Sequence, residues 1–157
     1  MQYVRNTTAQ AIISESPQIM LDEGYVPEVY LDSEGYPTFG FGTLITTSMK
    51  EHGKPVGTKV SEERCLEAFF EELTRKTMND PRAVFGDHWD QFPFEVKKVF
   101  VNMLYNLGRP KFLGFENMIA AAKDHNWPLT AAEAKDSKWY RQVKTRGERI
   151  VARLNNI

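Results

Sequence analysis

Apolar side chains recur at helical spacing through the last two-thirds of the chain. Leu66, Phe69, Phe70, Leu73 and Thr77 follow at helical spacing and predict a helix from Ser61 to about Met78. Ser61 reads as its N-cap, with Glu62 and Glu63 in the favourable first turn, and Asn79-Asp80-Pro81 ends it. From Phe94 to Leu107 the apolar positions cover much of the circumference (Val96, Val99, Phe100, Met103, Leu104, Leu107). A helix apolar on so many sides belongs in a core, and Gly108 stops it. Short helices are expected over Pro81–Phe85, Phe115–His125, Thr130–Asp136, Ser137–Gln142 and Thr145–Asn155, with a loop over 86–93. Thr145-Arg-Gly-Glu148 fits the capping-box pattern.

The N-terminal third has a different rhythm. Residues 1–16 read as a polar lead-in with a helical turn near Ala9–Ile13, and Ser16-Pro17 as a cap followed by a first-turn proline. The short helix that follows ends at Glu23, because Gly24 suits the left-handed position that closes a helix. Val29-Tyr30-Leu31 predicts a strand, Asp32-Ser-Glu-Gly35 a turn, and Tyr36–Gly42 the return strand. Gly40 and Gly42 weaken a strand unless backbone or ligand approaches closely there. A third strand is expected over Val56–Val60. The fold class is therefore α+β. A small antiparallel β lobe (about 25–60) is joined by a long helix (about 61–78) to a larger helical lobe (17–24 and 79–157), in one domain.

Composition narrows the class. A chain of 157 residues buries roughly 70% of its unfolded surface and needs no staples. The single cysteine, Cys65, excludes an internal disulfide and falls among apolar helix positions as a buried or half-buried thiol. No apolar run reaches the roughly 20 residues of a membrane span, and the N-terminus lacks the apolar core of a signal peptide. Synthesis in a cytoplasm is expected, with any export needing help from another protein. The net charge of −1 is uneven: Ser137–Ile157 holds six basic residues and one acid. Such a face attracts an anionic polymer or is simply solvated. No motif of nucleic-acid recognition accompanies it. His52, His88 and His125 are widely separated, so no zinc site is expected, and no cofactor motif is present. Trp89, Trp127 and Trp139 are expected to pack in the core rather than stack on sugars.

Candidate chemistry lies between Asp22 and Leu44. Glu23 ends a helix, Asp32 ends a strand, and Thr38 sits in the next one. Glycosidic hydrolysis needs one carboxyl to protonate the leaving oxygen and a second to attack or to orient water. A glutamate at a helix C-terminus meets the negative end of the dipole, while an aspartate in a turn is solvated, which is the division of labour such a pair requires. Carboxylate pairs are common in a chain that is 26% charged, so spacing alone does not select this reading.

The wording of the segment is more specific. Asp22-Glu-Gly24 and Tyr30-Leu-Asp-Ser-Glu-Gly-Tyr-Pro-Thr-Phe-Gly-Phe-Gly42 resemble the active-site segment of phage lysozymes of the T-even endolysin type (glycoside hydrolase family 24). Asn102–Gly108, Gly114–Asn117 and Ser137–Tyr140 resemble later landmarks of that family, so the likeness covers most of 17–155. The resemblance implies Glu23 as proton donor, Asp32 and Thr38 as holders of the attacking water, and Arg146 as a cation restraining Glu23. It places Leu44 and Tyr105 on opposite walls of a cleft. Met118 and Glu133 stand where the family often has small polar substrate contacts. Thr43 departs too, standing where well-known relatives carry a histidine.

The implied activity is hydrolysis of the β-1,4 bond between N-acetylmuramic acid and N-acetylglucosamine in peptidoglycan. It would proceed with inversion, without metal or cofactor, in a monomer. Inversion corresponds to carboxyl groups about 6.5–9.5 Å apart. Three other readings stay open: a lytic transglycosylase, a non-catalytic module such as a phage-tail part, and a lysozyme regulated by a partner. Free endolysin and virion-associated enzyme are both compatible with the sequence.

Overall fold

The computed structural model describes residues 7–157. Its elements in chain order are α1 (Thr8–Glu23), β1 (Val26–Leu31), β2 (Pro37–Gly40), β3 (Thr43–Leu44), α2 (Glu62–Thr77), α3 (Asp80–Phe85), α4 (His88–Gln91), α5 (Phe94–Leu107), α6 (Arg109–Leu113), α7 (Glu116–Lys123), α8 (Trp127–Lys135), α9 (Lys138–Val143) and α10 (Thr145–Asn155). The class is α+β, mostly helical with one three-stranded antiparallel sheet in the order β1-β2-β3. Two compact units are distinguishable: Ser16–Arg75, and the stretch up to Glu15 together with Lys76–Ile157.

In the Ser16–Arg75 unit the sheet has one buried face. Val29 and Phe39 point into a cluster with Val60, Cys65 and Ala68, so Cys65 is the buried thiol that its neighbours predict. Desolvation raises its pKa, which keeps it protonated and inert. The third strand is not at Val56–Val60. Gly40 and Gly42 both take left-handed backbone (φ +65° and +76°), which turns the chain back at once and makes Thr43–Leu44 the partner of β2. Residues 57–60 still follow the outer edge of β1, through Gly57 N–H to Val29 O and Val60 N–H to Pro27 O. With a left-handed Gly57 in the segment, only the isolated bridge Glu28–Lys59 forms. Arg64, on the first turn of α2, makes a paired bond to the buried Glu51 at 3.0 Å from both Nε and Nη2, anchoring the long 46–60 connection.

The other unit is built around α5, whose bounds agree with the sequence pattern. Phe85, Trp89, Phe92, Phe100 and Phe112 are fully buried and stack or meet edge-on with centroids 4.8–6.1 Å apart. Such pairs add about 0.5–1.5 kcal/mol each beyond area burial. Trp139 also packs, and its Nε1 donates to Asn106 Oδ1 at 2.7 Å. The 86–93 loop contains the helical turn α4, and α6 follows Gly108 directly. Thr145 is the first residue of α10 rather than its cap; Lys144, at φ +51°, holds the cap position.

The largest departure is α1. Its helix starts at Thr8, not Ser16, and runs through Pro17; the first six residues of the expected lead-in lie outside the described residues. A proline inside a helix removes one backbone bond and costs about 3 kcal/mol. Ala11, Ile12, Glu15, Ser16 and Ile19 are buried at helical spacing, and burying that face offsets the loss. Glu15 is the anchor: it accepts from Arg153 Nη1 and Nη2 at 2.8 and 2.9 Å and from Asn102 Nδ2 at 2.9 Å.

Candidate active site

Glu23, Asp32, Thr38 and Leu44 all belong to the Ser16–Arg75 unit. The chain delivers Glu23 as the last residue of α1. Gly24, at φ +77°, donates its N–H to Met20 O and ends the helix there. Gly42 lies against that carboxyl: a Cβ at this position would stand 3.3 Å from Glu23 Oε2. The glycines that weaken β2 and its turn thus mark close approaches, Gly42 to Glu23 and Gly40 to Cys65, where a Cβ would meet Cys65 Cβ at 3.0 Å. We expect Gly42→Ala to lower activity severalfold to about tenfold by pushing the carboxyl aside by a few tenths of an ångström, less than the 1 Å misplacement that costs about a hundredfold. Its melting temperature should fall by only a few degrees, from about 1–2 kcal/mol of left-handed strain. Steady-state assays beside thermal melts check both.

Asp32 is fixed by its own turn. Its Oδ1 accepts the backbone N–H of Glu34 at 2.9 Å and of Tyr36 at 2.8 Å, and its N–H and C=O close the turn with Tyr36 O and Gly35 N. The second carboxylate oxygen, Oδ2, takes no part in these bonds. Thr38 is buried, and its hydroxyl donates to Tyr36 O at 2.8 Å. With that proton committed, the oxygen is left as an acceptor. Asp32 before the turn and Thr38 on the strand after it thus each keep an acceptor oxygen, the two acceptors that holding a water by both its hydrogens requires. The sheet register sets Thr38 opposite Tyr30 on β1 and opposite Leu44 on β3. Leu44 is 49% exposed on that face. Thr43 points to the other, buried face beside Phe39, and its hydroxyl has no hydrogen-bond partner.

Tyr105, Met118, Glu133 and Arg146 belong to the other unit. Tyr105 on α5 is buried with Lys76 Nζ 5.0 Å above its ring. Met118 and Glu133, fifteen residues apart, line one open cavity of about 660 Å³ with Phe115, Asn117, Lys138 and Trp139. Arg146 Nε donates to Asn102 Oδ1 at 2.8 Å, which ties it through Asn102 to Glu15 and Arg153. Nothing in the sequence pairs Glu15 with Arg153 or assigns Asn102, the head of the 102–108 landmark, a place between them. Arg153 is 138 residues from its partner, and no local pattern announces the pair.

Among the described residues no group of three or more His, Cys, Asp or Glu side chains is placed to hold a metal ion. No helix there is long and apolar enough to cross a membrane.

Comparison with known proteins gives a consistent picture. The chain is similar to probable T4-type lysozyme 1 of Dictyostelium discoideum, 24% identical over 90% of this chain and 93% of that protein. It is 25% identical to the pre-baseplate central spike protein Gp5 of Enterobacteria phage T4, over 88% of this chain but 27% of that much longer protein. Probable T4-type lysozyme 2 of D. discoideum is 23% identical over 90% of the chain. The family model described as phage lysozyme matches residues 21–155. With a match that spans nearly all of the described fold, the chain belongs to the phage lysozyme family of glycosidase-type enzymes.

Proposed function

We propose that the protein is a muramidase that cleaves the β-1,4 bond between N-acetylmuramic acid and N-acetylglucosamine in peptidoglycan by a single, inverting displacement. The observation that carries this reading is the Asp32 turn. Its carboxylate is locked by two backbone N–H groups, one of them from Tyr36, and the carbonyl of that same Tyr36 engages the proton of the Thr38 hydroxyl. In this mechanism Glu23 donates a proton to the leaving oxygen. Asp32 and Thr38 each accept one hydrogen of a water, which aims its lone pair at the anomeric carbon. As the C–O bond breaks, the water oxygen bonds to that carbon, and Asp32 takes the water's proton. Leu44, 49% exposed, and Glu133, on the open cavity, are the contacts this reading gives the glycan strand, whereas Tyr105 and Met118, 4% and 1% exposed, offer it almost no surface. The substrate lies outside the cytoplasm, so a membrane-permeabilising helper or a virion route completes the picture.

Lysis of permeabilised Gram-negative cells, followed by turbidity with wild type against Glu23→Gln, tests the reading. Equal clearing by the two would refute it. The likeness to the Gp5 spike protein favours a second setting for the same chemistry, as a wall-cutting module of a phage particle. Detection of the chain in purified virions would select it.

A further inference from the structure

We propose that Tyr30 is a substrate-positioning residue: its phenol O–H donates a hydrogen bond to an acceptor oxygen of the sugar bound between Glu23 and Asp32. The inference rests on the muramidase reading and adds a residue to it.

Three observations point to Tyr30. The first is register. Tyr30 pairs with Thr38, and Thr38 pairs with Leu44, so the three lie in one row across the sheet, on the face opposite the Val29 and Phe39 core. Directly paired side chains have Cβ atoms about 4.5–5.5 Å apart, so the Tyr30 ring is the immediate neighbour of the water-holding hydroxyl. The second is electrostatic. Partial burial raises the phenol's pKa, and the carboxylates of Asp32 and then Glu23 raise it further. Both carboxyl groups therefore lie within electrostatic reach of one hydroxyl. The third is availability. No hydrogen bond among the described residues uses the Tyr30 hydroxyl, whereas the Thr38 hydroxyl donates to Tyr36 O and Asp32 Oδ1 is occupied twice.

The chemistry of the row makes this donor useful. Ionised Asp32 only accepts, and Thr38, its proton engaged, accepts as well. Those two acceptors hold a water but offer no donor to a sugar's ring, hydroxyl or N-acetyl oxygen, and the proton of Glu23 goes to the leaving oxygen. Tyr30 is the donor in the row. Its ring, beside Leu44, also offers an apolar edge to a pyranose face.

The test compares Tyr30→Phe, Tyr30→Ala and Glu23→Gln with wild type on soluble peptidoglycan oligosaccharides, with kcat and KM resolved and melts recorded. We expect Tyr30→Phe to keep its melting temperature and lose about tenfold in kcat/KM, the effect of one hydrogen bond. Tyr30→Ala should lose more. A purely structural tyrosine would give the opposite pattern, with lower melting temperatures and unchanged kinetics for Tyr30→Phe. Tyrosine ring carbon NMR gives a second readout: Glu23→Gln should bring the Tyr30 phenol pKa down. Either a Tyr30→Phe kcat/KM within twofold of wild type or an unmoved phenol in Glu23→Gln overturns the inference. If Glu23→Gln itself stays active, the muramidase reading fails instead, which separates the two.

Discussion

Glu23→Gln is expected to leave a folded protein with at least about a hundredfold less wall-cleaving activity. A glutamine matches the glutamate in shape but carries no transferable proton, and general acid catalysis contributes on the order of 10²–10⁴ in rate. The fold should tolerate the change. Glu23 closes α1 at the negative end of its dipole, so neutralising it there should stabilise the helix by about 0.3–1 kcal/mol. Gly42 approaches the same carboxyl, and the isosteric amide fits beside it. The expected signature is a melting temperature equal to or slightly above wild type with activity near background. A large activity loss accompanied by unfolding would assign Glu23 a structural role instead.

Arg153→Met is expected to cause the largest loss of stability. Arg153 binds Glu15 through two nitrogens and Glu95 through Nε at 2.6 Å. The Glu15 side chain is 3% exposed and that of Arg153 18%. Removing the arginine leaves a carboxylate buried with Asn102 as its remaining named partner, and breaking one side of a buried pair costs about 3–5 kcal/mol. For a chain of this length that lowers the melting temperature by roughly 10 °C or more. Adding Glu15→Leu should recover much of it, because an apolar pair avoids the desolvation of two charges. The pH dependence follows in sign. Burial pushes the Glu95 carboxyl up, but bonds from Lys98 and Arg153 outweigh it and hold its pKa below the ordinary value. That contribution is present above the unfolded pKa, near 4.3 for a glutamate, and is lost as pH falls through the lower folded value. Arg153→Met should therefore show less of this acid-linked loss, as melts from pH 6 to pH 3 would reveal.

These two cases show what local reading can and cannot reach. Glu23 was legible because everything that places it is local: a glycine that stops the helix and, nine residues on, an aspartate that builds its own turn. The same holds for α5, whose apolar periodicity and end signals coincide with the structure, and for the span of α10, although Lys144 and not Thr145 holds its cap position. The start of α1 was not legible. Ser16-Pro17 has the chemistry of a helix beginning, and only the burial of Ala11, Ile12 and Glu15, the last against a residue near the other terminus, overrides it. The third strand was misplaced for a related reason. Val56–Val60 has strand-like composition, but left-handed turns at Gly40 and Gly42 give β2 an immediate partner. Tyr30 escaped notice because its place beside Thr38 follows from cross-strand register, which no single segment encodes. Met118 and Glu133 do line one cavity, although the residue types alone would not mark a sugar contact.

In the proposed reaction Asp32 and Thr38 hold a water and Glu23 gives a proton. The stereochemistry of the product tests it most directly. Proton NMR of a peptidoglycan oligosaccharide in the first minutes of digestion, before mutarotation, should show new N-acetylmuramic acid reducing ends in the α configuration. New ends that appear first as the β anomer, or as 1,6-anhydro rings, would contradict it.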